Sequence, residues 1–364
     1  MKMVSSSWNE QRIQIPGRMT FLPYYTSSPW GKNEAYFIFY SALPDFSRVW
    51  LHTWSPDEGR ITAEFELTAW NGLDGLLVSE LLLSAVLLPE QRRLLLPLRE
   101  KLYSVSVDDG SAEMVWALPD ASLRLGGPGN RSKDGGFVVF GAFPLPPGAP
   151  QNVPLTVLDT ATFKPAGSYE FDGFFANHFQ FMSDPDWILF AHEGPTEGIP
   201  DRLNRLNWRT GERQTLHRHA TGPDGKLQEC IGHEMTAGET VCAVRYPVSV
   251  LPGALITMNL DGSGCGALDC DDYWHSSCNA DGTVFAMDTM WWGCTKRKTP
   301  LEMDIIRIDR KAGTKEIVKT IHSDPKQQYR HPHPQLNAAG NRLLFIENSD
   351  TDDTLGSITL RTLA

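Results

Sequence analysis

The sequence predicts an all-β fold, a seven-bladed β-propeller, because one pattern repeats along its 364 residues. In each repeat an apolar strand ends in a polar turn, and equivalent turns follow one another at steps of 50 or 51 residues. These turns are centred on Gly59, Gly110, Ala161, Gly211, Gly262 and Gly313. Repeats of this length, with several short strands and no helical period, are typical of propeller blades. Seven such steps account for the length of the chain.

A second marker keeps the same rhythm: a short polar turn followed by a buried strand. It occurs at 133–140, 184–190, 237–244 and 280–286. The early strand at 12–15 is predicted to complete the last blade and close the propeller, so that 1–364 forms a single β-propeller domain. The second repeat is the weakest, because residues 76–98 are so rich in leucine that a helix there remains an alternative.

Composition and charge limit the binding partners and the cellular location that we expect for this protein. The net charge of −11 argues against nucleic acid and anionic lipid, because no basic stripe offsets the repulsion. No apolar run is long enough to span a membrane, and the best candidate, 76–88, is short and contains Glu80. The N-terminal segment lacks the apolar core of a secretory signal, so we expect a cytoplasmic protein. The sequence leaves the oligomeric state open.

The cysteines are expected to be free thiols. They are Cys230, Cys242, Cys265, Cys270, Cys278 and Cys294. Their spacings match no zinc-ribbon or Cys-x-x-Cys pattern. A metal site made of cysteines is therefore not predicted.

The segment 328–334, Gln-Tyr-Arg-His-Pro-His-Pro, carries the strongest local signal for a metal. In an extended backbone His331 and His333 project to the same side, because side-chain direction repeats every two residues. The prolines fix φ and remove backbone donors, which rules out an interior strand. Two imidazoles near the amide oxygen of Gln328 suit Mn²⁺, Fe²⁺, Ni²⁺ or Zn²⁺. The alternative is a proline-rich loop whose histidines only form hydrogen bonds.

Five histidines keep phase with the repeat. They are His178, His233, His275, His331 and His333, and each falls just before the polar turn and the next buried strand of its blade. In a propeller that position belongs to the innermost strand, which lines the central channel. Four consecutive blades would therefore direct imidazoles at one mouth of the channel. This phase predicts a metal site there.

The remaining histidines lie elsewhere in the repeat. His52, His217, His219 and His322 fall on or near outer turns and are expected to be exposed to solvent. His192 follows a buried strand. Its imidazole either reaches the mouth of the channel or bonds a neighbouring backbone carbonyl.

Several motifs carry a resemblance to a known family. In chain order they are 178–181 (His-Phe-Gln-Phe), 192–195 (His-Glu-Gly-Pro), 232–234 (Gly-His-Glu), 275–277 (His-Ser-Ser) and the 328–334 segment. They follow one another as in oligogalacturonate lyases, which the chain resembles from about Phe21 onward and most strongly from His178. The resemblance implies a cytoplasmic, seven-bladed β-propeller polysaccharide lyase of pectin degradation.

The same resemblance implies roles for individual residues. The metal ligands would be His275, Gln328, His331 and His333, with manganese the usual ion. His233 would be the base that abstracts a proton, and Arg202 would clamp the substrate, with Arg205 as the alternative. His178, Gln180, His192 and Arg205 would bind substrate. The chain departs from the family at Met235-Thr236, where an aromatic pair is usual, and this leaves the exact sugar open.

These residue types suit β-elimination on a 4-linked uronic acid. A divalent cation on the carboxylate stabilises the charge that develops when the C5 proton is removed. A neutral imidazole takes that proton, and an arginine holds a carboxylate through paired donors. The expected partner is an acidic oligosaccharide, oligogalacturonate first, and the product a 4,5-unsaturated uronate.

Two other functions remain open from the sequence. A metal-dependent propeller hydrolase such as a lactonase would be favoured if acidic ligands completed the metal site. A non-catalytic propeller that binds proteins would need no base at all, because the fold alone does not assign function.

Overall fold

A computed structural model describes residues 1–144, 153–171, 175–194, 198–247, 250–289, 302–323, 327–348 and 355–364. Within these ranges the chain forms seven sheets, each built around four antiparallel strands. The sheets follow one another in chain order, and their first strands face a common centre. The predicted seven-bladed β-propeller is confirmed.

The strands fall into blades as follows. The two N-terminal strands are β1 (Lys2–Met3) and β2 (Trp8–Ile13). Blade 1 holds β3 (Met19–Phe21), β4 (Phe37–Ala42), β5 (Val49–Ser55) and β6 (Arg60–Glu66); blade 2 holds β7 (Val86–Leu88), β8 (Arg93–Leu98), β9 (Lys101–Ser106) and β10 (Ala112–Ala117). Blade 3 holds β11 (Leu123–Arg131), β12 (Phe137–Pro144), β13 (Val153–Asp159) and β14 (Pro165–Phe171). Blade 4 holds β15 (Ala176–Phe181), β16 (Trp187–His192), β17 (Leu203–Asn207) and β18 (Arg213–His217).

The last three blades complete the propeller. Blade 5 holds β19 (Ile231–Ala237), β20 (Thr240–Arg245), β21 (Ala254–Asn259) and β22 (Gly266–Asp269). Blade 6 holds β23 (Tyr273–Cys278), β24 (Val284–Thr289), β25 (Glu302–Asp309) and β26 (Thr314–His322). Blade 7 holds β27 (Gln335–Leu336), β28 (Arg342–Asn348) and β29 (Gly356–Leu363).

The N-terminal strands join the last two blades. Strand β2 pairs antiparallel with β29, from Trp8 opposite Leu363 to Ile13 opposite Ile358, and so forms the outer strand of blade 7. Strand β1 adds parallel to β26, with Lys2 opposite Thr314. The two ends of the described chain thus share one sheet, which leaves no unpaired edge on β29.

The repeated turn glycines have a conformational reason. Each lies between the third and fourth strand of its blade, at a φ between 63° and 85° that a side chain would disfavour. The exception is Ala161. In its turn the left-handed residue is Phe163, with φ of 53°, and the Asp159 carboxylate accepts hydrogen bonds from the amides of Ala161 and Thr162.

The leucine-rich region of blade 2 contains both a helix and strands. Helix α1 (Gly75–Leu83) comes first, and β7 and β8 follow it. Val78, Leu81 and Leu82 are buried in the core that blades 1 and 2 share. The helical alternative is therefore right for the first part of the region. No helix in the described ranges has the length and apolar character needed to cross a bilayer.

Candidate metal centre

Local backbone distortions aim the phased histidines. The pairing register of the innermost strands shifts at the same place in three successive blades, between 177 and 180, 232 and 235, and 273 and 276. His178, His233 and His333 have left-handed φ values of 56°, 48° and 41°. Bulges redirect side chains beside functional sites, and non-glycine residues hold such φ values at a cost of about 1–3 kcal/mol. The fold thus bears strain at three of the five phased histidines.

Three of the predicted ligands converge. His275, His331 and His333 are buried, and each offers a nitrogen within 4.8 Å of those of the other two. The imidazole centroids of His275 and His333 lie 4.5 Å apart, and each is 5.3 Å from that of His331. Nε2 of His275 and both ring nitrogens of His333 have no hydrogen-bond partner in the part of the chain that the structure describes.

This arrangement fits a divalent cation. A buried nitrogen without a partner costs about 1–3 kcal/mol, and coordination removes that cost. Neutral imidazole is a common ligand of Mn²⁺, Fe²⁺ and Zn²⁺. Burial, followed by the other imidazoles, holds the pKa values of His275 and His333 well below the usual range, so both stay neutral and able to bind a metal.

Asp288 fixes the orientation of one ligand. Its Oδ2 lies 2.8 Å from Nδ1 of His275, and its Oδ1 accepts a hydrogen bond of 2.6 Å from the His275 amide. Both side chains are fully buried. A carboxylate that holds Nδ1–H leaves Nε2 as the ligating atom, an arrangement common around bound metals. The sequence signal for Asp288 was a lone carboxylate in the apolar strand β24.

Gln328 differs from its predicted position. Gln328 begins a single turn of 3₁₀-helix, Gln328–Arg330. It is exposed to solvent, whereas the three histidines are buried. The prolines that follow make the chain extended again before it reaches His333. The structure therefore does not bury this amide with the histidine cluster, and the prediction of Gln328 as a fourth ligand is not supported by its placement.

His233 lies beside the cluster. Its imidazole centroid is 4.3 Å from that of His275, and Nδ1 is 2.7 Å from the Tyr246 hydroxyl. Burial, followed by the nearby His275 and His178, lowers the pKa of His233 well below its usual range. Burial also raises the pKa of Tyr246, so this group remains a phenol. The His233 imidazole is therefore neutral and held by one nitrogen.

Arg202 lies in a buried charge network. Its two terminal nitrogens contact Oε1 and Oε2 of Glu193 at 2.9 and 3.0 Å, and its Nε contacts Glu234 at 3.4 Å. Glu234 also contacts Nδ1 of His178 at 2.8 Å. Although burial opposes both charges, Glu234 and Glu193 raise the pKa of Arg202, and Arg202 and His178 lower the pKa of Glu234. Sequence reasoning missed Glu193 and Glu234 as members of this site.

Arg205 does not join that network. It lies on β17, where its guanidinium bonds Oε1 of Gln214 at 2.7 and 2.9 Å and stacks 4.2 Å above Trp187. Gln214 belongs to the outer strand β18, so Arg205 faces away from the channel. Arg202, which precedes β17, is thus the arginine that joins the charge network, and the substrate-binding roles of both arginines stay predictions.

Gln180 and His192 are placed less centrally than predicted. The Gln180 amide donates to the carbonyl of Glu234 at 2.9 Å and accepts from the amide of Thr236 at 3.3 Å, which ties β15 to β19. We therefore assign Gln180 a structural role. Nδ1 of His192 lies 3.0 Å from Oδ1 of Asp201, next to Arg202 in the chain, and this imidazole is partly exposed.

The residues that depart from the family line the channel. Met235 and Thr236 border a cavity of about 860 Å³ together with Tyr25 and Gln180. Tyr25 in turn packs 5.7 Å from both His233 and His275, measured between ring centroids. Tyr25 therefore connects this cavity to the histidine cluster, whose members do not line the cavity themselves.

The prediction that the outer histidines are exposed is wrong for two of them. His52 is fully buried, stacks on Phe39 at 4.5 Å and lies 2.7 Å from the Ser41 hydroxyl. His219 is buried as well. His217 and His322 are only partly exposed. His52 is thus covered by side chains of β4, the neighbouring strand of its own blade.

Fold and site together define a seven-bladed β-propeller with a histidine cluster formed by the innermost strand of blade 6 and the segment before that of blade 7. Against known proteins, no family model matches the chain, and no curated protein matches its sequence. Solved structures do match. An oligogalacturonate lyase in complex with manganese has a TM-score of 0.79 and 17% identity, over 100% of this chain and 95% of that one.

Two further structures place this likeness in context. An oligogalacturonate lyase from Vibrio parahaemolyticus has a TM-score of 0.73 and 14% identity, over 99% of this chain and 98% of that one. The WD40 repeats of RRP9 have a TM-score of 0.57 and 8% identity, over 98% of this chain and 100% of that one. The fold is thus the propeller that oligogalacturonate lyases have, and the resemblance inferred from the motifs is confirmed at the level of fold.

Proposed function

We propose that this protein is a metal-dependent lyase that cleaves short 4-linked uronic acid oligosaccharides, oligogalacturonate first, by β-elimination. One observation carries the proposal. A neutral imidazole, His233, lies next to three converging buried histidines and within reach of a buried arginine network. The manganese complex of a lyase with the same fold supports Mn²⁺ as the ion.

His275, His331 and His333 would hold the cation, with Asp288 orienting His275. When bound, a divalent cation supplies a Lewis acid that stabilises negative charge on the carboxylate of a uronic acid. The cluster contains histidines only among the residues that the structure describes. The lactonase alternative requires acidic ligands, so this donor set favours the lyase.

His233 would act as the base. With its proton on Nδ1, the imidazole would donate to the Tyr246 oxygen, 2.7 Å away, and would keep the lone pair of Nε2 for a proton. The C5 proton of the sugar moves to Nε2, the C5–H electron pair forms the C4–C5 double bond, and the C4–O bond breaks. The released oxygen takes up a proton and leaves with the shortened saccharide. The product is a 4,5-unsaturated uronate.

Arg202 would bind a substrate carboxylate. Its planar pair of donors already holds one carboxylate, that of Glu193, in the bidentate geometry that a uronate requires. Glu193 is partly exposed, whereas Arg202 is buried. The proposed exchange of Glu193 for the substrate carboxylate would orient the sugar between His233 and the histidine cluster.

The proposed setting follows from the substrate class. Short acidic oligosaccharides from pectin are the substrate we propose, and we propose a cytoplasmic location with it. The net charge of −11 would repel such a substrate over most of the surface. A cation at the channel mouth and Arg202 would reverse that repulsion locally.

Metal analysis combined with an ultraviolet assay tests this function. We expect about one divalent ion per chain, and rising absorbance of an unsaturated product from di- and trigalacturonate. His233→Ala should abolish turnover and keep the metal, whereas His322→Ala, outside the site, should change neither. Absence of both metal and unsaturated product in the folded protein would exclude the proposal.

A further inference from the structure

A second group of reactive side chains lies outside the histidine cluster, where the outer strands of blades 4 and 5 meet the segment that joins these two blades. Sγ of Cys265 is 3.5 Å from Nδ1 of His217, and Nε2 of the same imidazole is 3.0 Å from Oε2 of Glu229. The thiol and the carboxylate therefore occupy opposite sides of one imidazole. This is the order of nucleophile, base and orienting group that activates a thiol. We call these three residues the outer triad.

The fold holds the outer triad in place. Cys265 follows the tight turn that joins β21 to β22, and His217 ends β18. A side chain at Gly262 would meet the carbonyl oxygen of Leu216 at 2.3 Å, so glycine allows this turn to press against the end of β18. Gln214 also donates to the carbonyl of Asp261 at 3.0 Å. The neighbouring blade thus fixes the turn beside His217.

Exposure and charge favour a proton on the imidazole. Cys265 is exposed, whereas Glu229 is buried and also contacts Arg245 at 3.4 Å. The hydrogen bond from His217, helped by Arg245, lowers the pKa of Glu229 to about 2, so the carboxylate is charged. Cys265 and then Glu229 raise the pKa of His217 to about 9. The remaining neighbour, His219, has its pKa lowered by burial and adds no charge.

We propose that Cys265 is a nucleophilic thiol, activated by His217 and Glu229, and a site of covalent modification by small electrophiles. The thiol proton moves to Nδ1 of His217, while Nε2–H donates to Glu229. The thiolate attacks an electrophilic carbon, the new S–C bond forms as the bond to the leaving group breaks, and the proton stays on the imidazole. The thiolate is the reactive form of cysteine, so its fraction near neutral pH sets the rate.

Cys270 is the matched control within the chain. It is exposed in the same region and has no imidazole partner among the residues that the structure describes. An ordinary thiol with a pKa near 8.5 is about 1% ionised at pH 6.5. A thiol that passes its proton to a neighbouring imidazole can form up to about 100-fold more thiolate at this pH, and the lower nucleophilicity of a thiolate stabilised in this way removes about tenfold of that gain. Cys265 should therefore react about tenfold faster than Cys270 at pH 6.5.

The test is alkylation of the whole protein by iodoacetamide, with the rate at each cysteine read by peptide mass spectrometry between pH 6 and 9.5. We expect the faster reaction at Cys265 at pH 6.5, a steep rise with pH for Cys270, and an excess of Cys265 over Cys270 that is gone by about pH 7.5. His217→Gln and Glu229→Gln should each reduce the rate at Cys265 toward that of Cys270.

Two outcomes would overturn the proposal. One is an equal rate and an equal pH profile for Cys265 and Cys270 in the unmodified protein, a result that needs no variant. The other is a fast reaction at Cys265 that persists in His217→Gln, once thermal melting shows that this variant is folded.

Discussion

The carboxylate of Asp288 holds both the imidazole Nδ1 and the backbone amide of His275, at 2.8 and 2.6 Å. These two bonds set the direction in which Nε2 points, and Nε2 is one of the nitrogens that converge with those of His331 and His333. The orientation of the His275 imidazole, a proposed metal ligand, thus depends on Asp288, which lies on the neighbouring strand β24.

Asp288→Asn should weaken metal binding. The amide can still accept one bond but lacks the charge that fixes the tautomer, and loss of such a partner typically costs 10- to 100-fold in metal affinity. Titration of the metal-free protein with Mn²⁺ measures the change. Asp309→Asn, on the neighbouring strand β25, serves as the control and should bind Mn²⁺ normally. Equal affinity in the Asp288 variant would contradict the proposed role.

Tyr246→Phe should slow turnover without removing the metal. The hydroxyl is the partner of Nδ1 of His233 at 2.7 Å, and its loss frees the imidazole to take the tautomer that cannot accept a proton at Nε2. We expect kcat to fall about tenfold, or about 1.4 kcal/mol in the barrier, with KM little changed. Steady-state kinetics on digalacturonate give the answer. An unchanged kcat would mean that His233 is positioned by other contacts.

Glu193→Gln should improve substrate binding. In the structure Glu193 occupies the two donors of Arg202 that we assign to the substrate carboxylate. A neutral amide competes less well for the guanidinium, so KM should fall several-fold. Arg202→Lys, which cannot form the paired contact, should raise KM instead. If KM rises in both variants, Glu193 serves to position Arg202 and does not compete with substrate.

His52 should make stability depend on pH. Burial lowers its pKa from 6.5 to about 4, despite the opposing carboxylate of Glu64. Because the folded pKa is the lower one, the unfolded chain binds the proton first as pH falls. The contribution of neutral, buried His52 to the free energy of unfolding is thus fully present above pH 6.5. It is lost as the pH falls to about 4, and the loss amounts to about 3 kcal/mol.

Chemical denaturation at pH 7 and pH 4.5 measures this effect. The unfolding free energy of His52→Gln should fall less between the two pH values than that of the unchanged protein. The Gln side chain can keep a bond to Ser41, so the comparison isolates the titration. Identical pH dependence in the two proteins would show that His52 is protonated in the folded state.

The blade count and the positions of the phased histidines were predictable, because both rest on a repeat of fixed length. The same periodicity cannot reveal contacts between blades. Glu234 looks like an ordinary residue after His233, and only the folded ring brings it to His178 and Arg202. Asp288 and His275 are a different case, because they lie on adjacent strands of one blade and no motif links them in the sequence.

Other features depend on local structure that the repeat does not show. Gln328 precedes His331 closely in the sequence, yet a single 3₁₀ turn separates its exposed side chain from the buried imidazoles, and its role as a ligand stays a prediction. Arg202 and Arg205 could not be ranked, because the sequence does not show where β17 begins. The burial of His52 comes from Phe39 and Ser41 on the neighbouring strand, a contact that the spacing of the repeat does not reveal.

The most direct test of the central claim is a crystal structure of the protein grown with Mn²⁺, with anomalous diffraction used to locate the ion. We expect one strong anomalous peak in contact with nitrogens of His275, His331 and His333, with the His233 imidazole beside it. A peak elsewhere, or no peak at these histidines at saturating Mn²⁺, would contradict it.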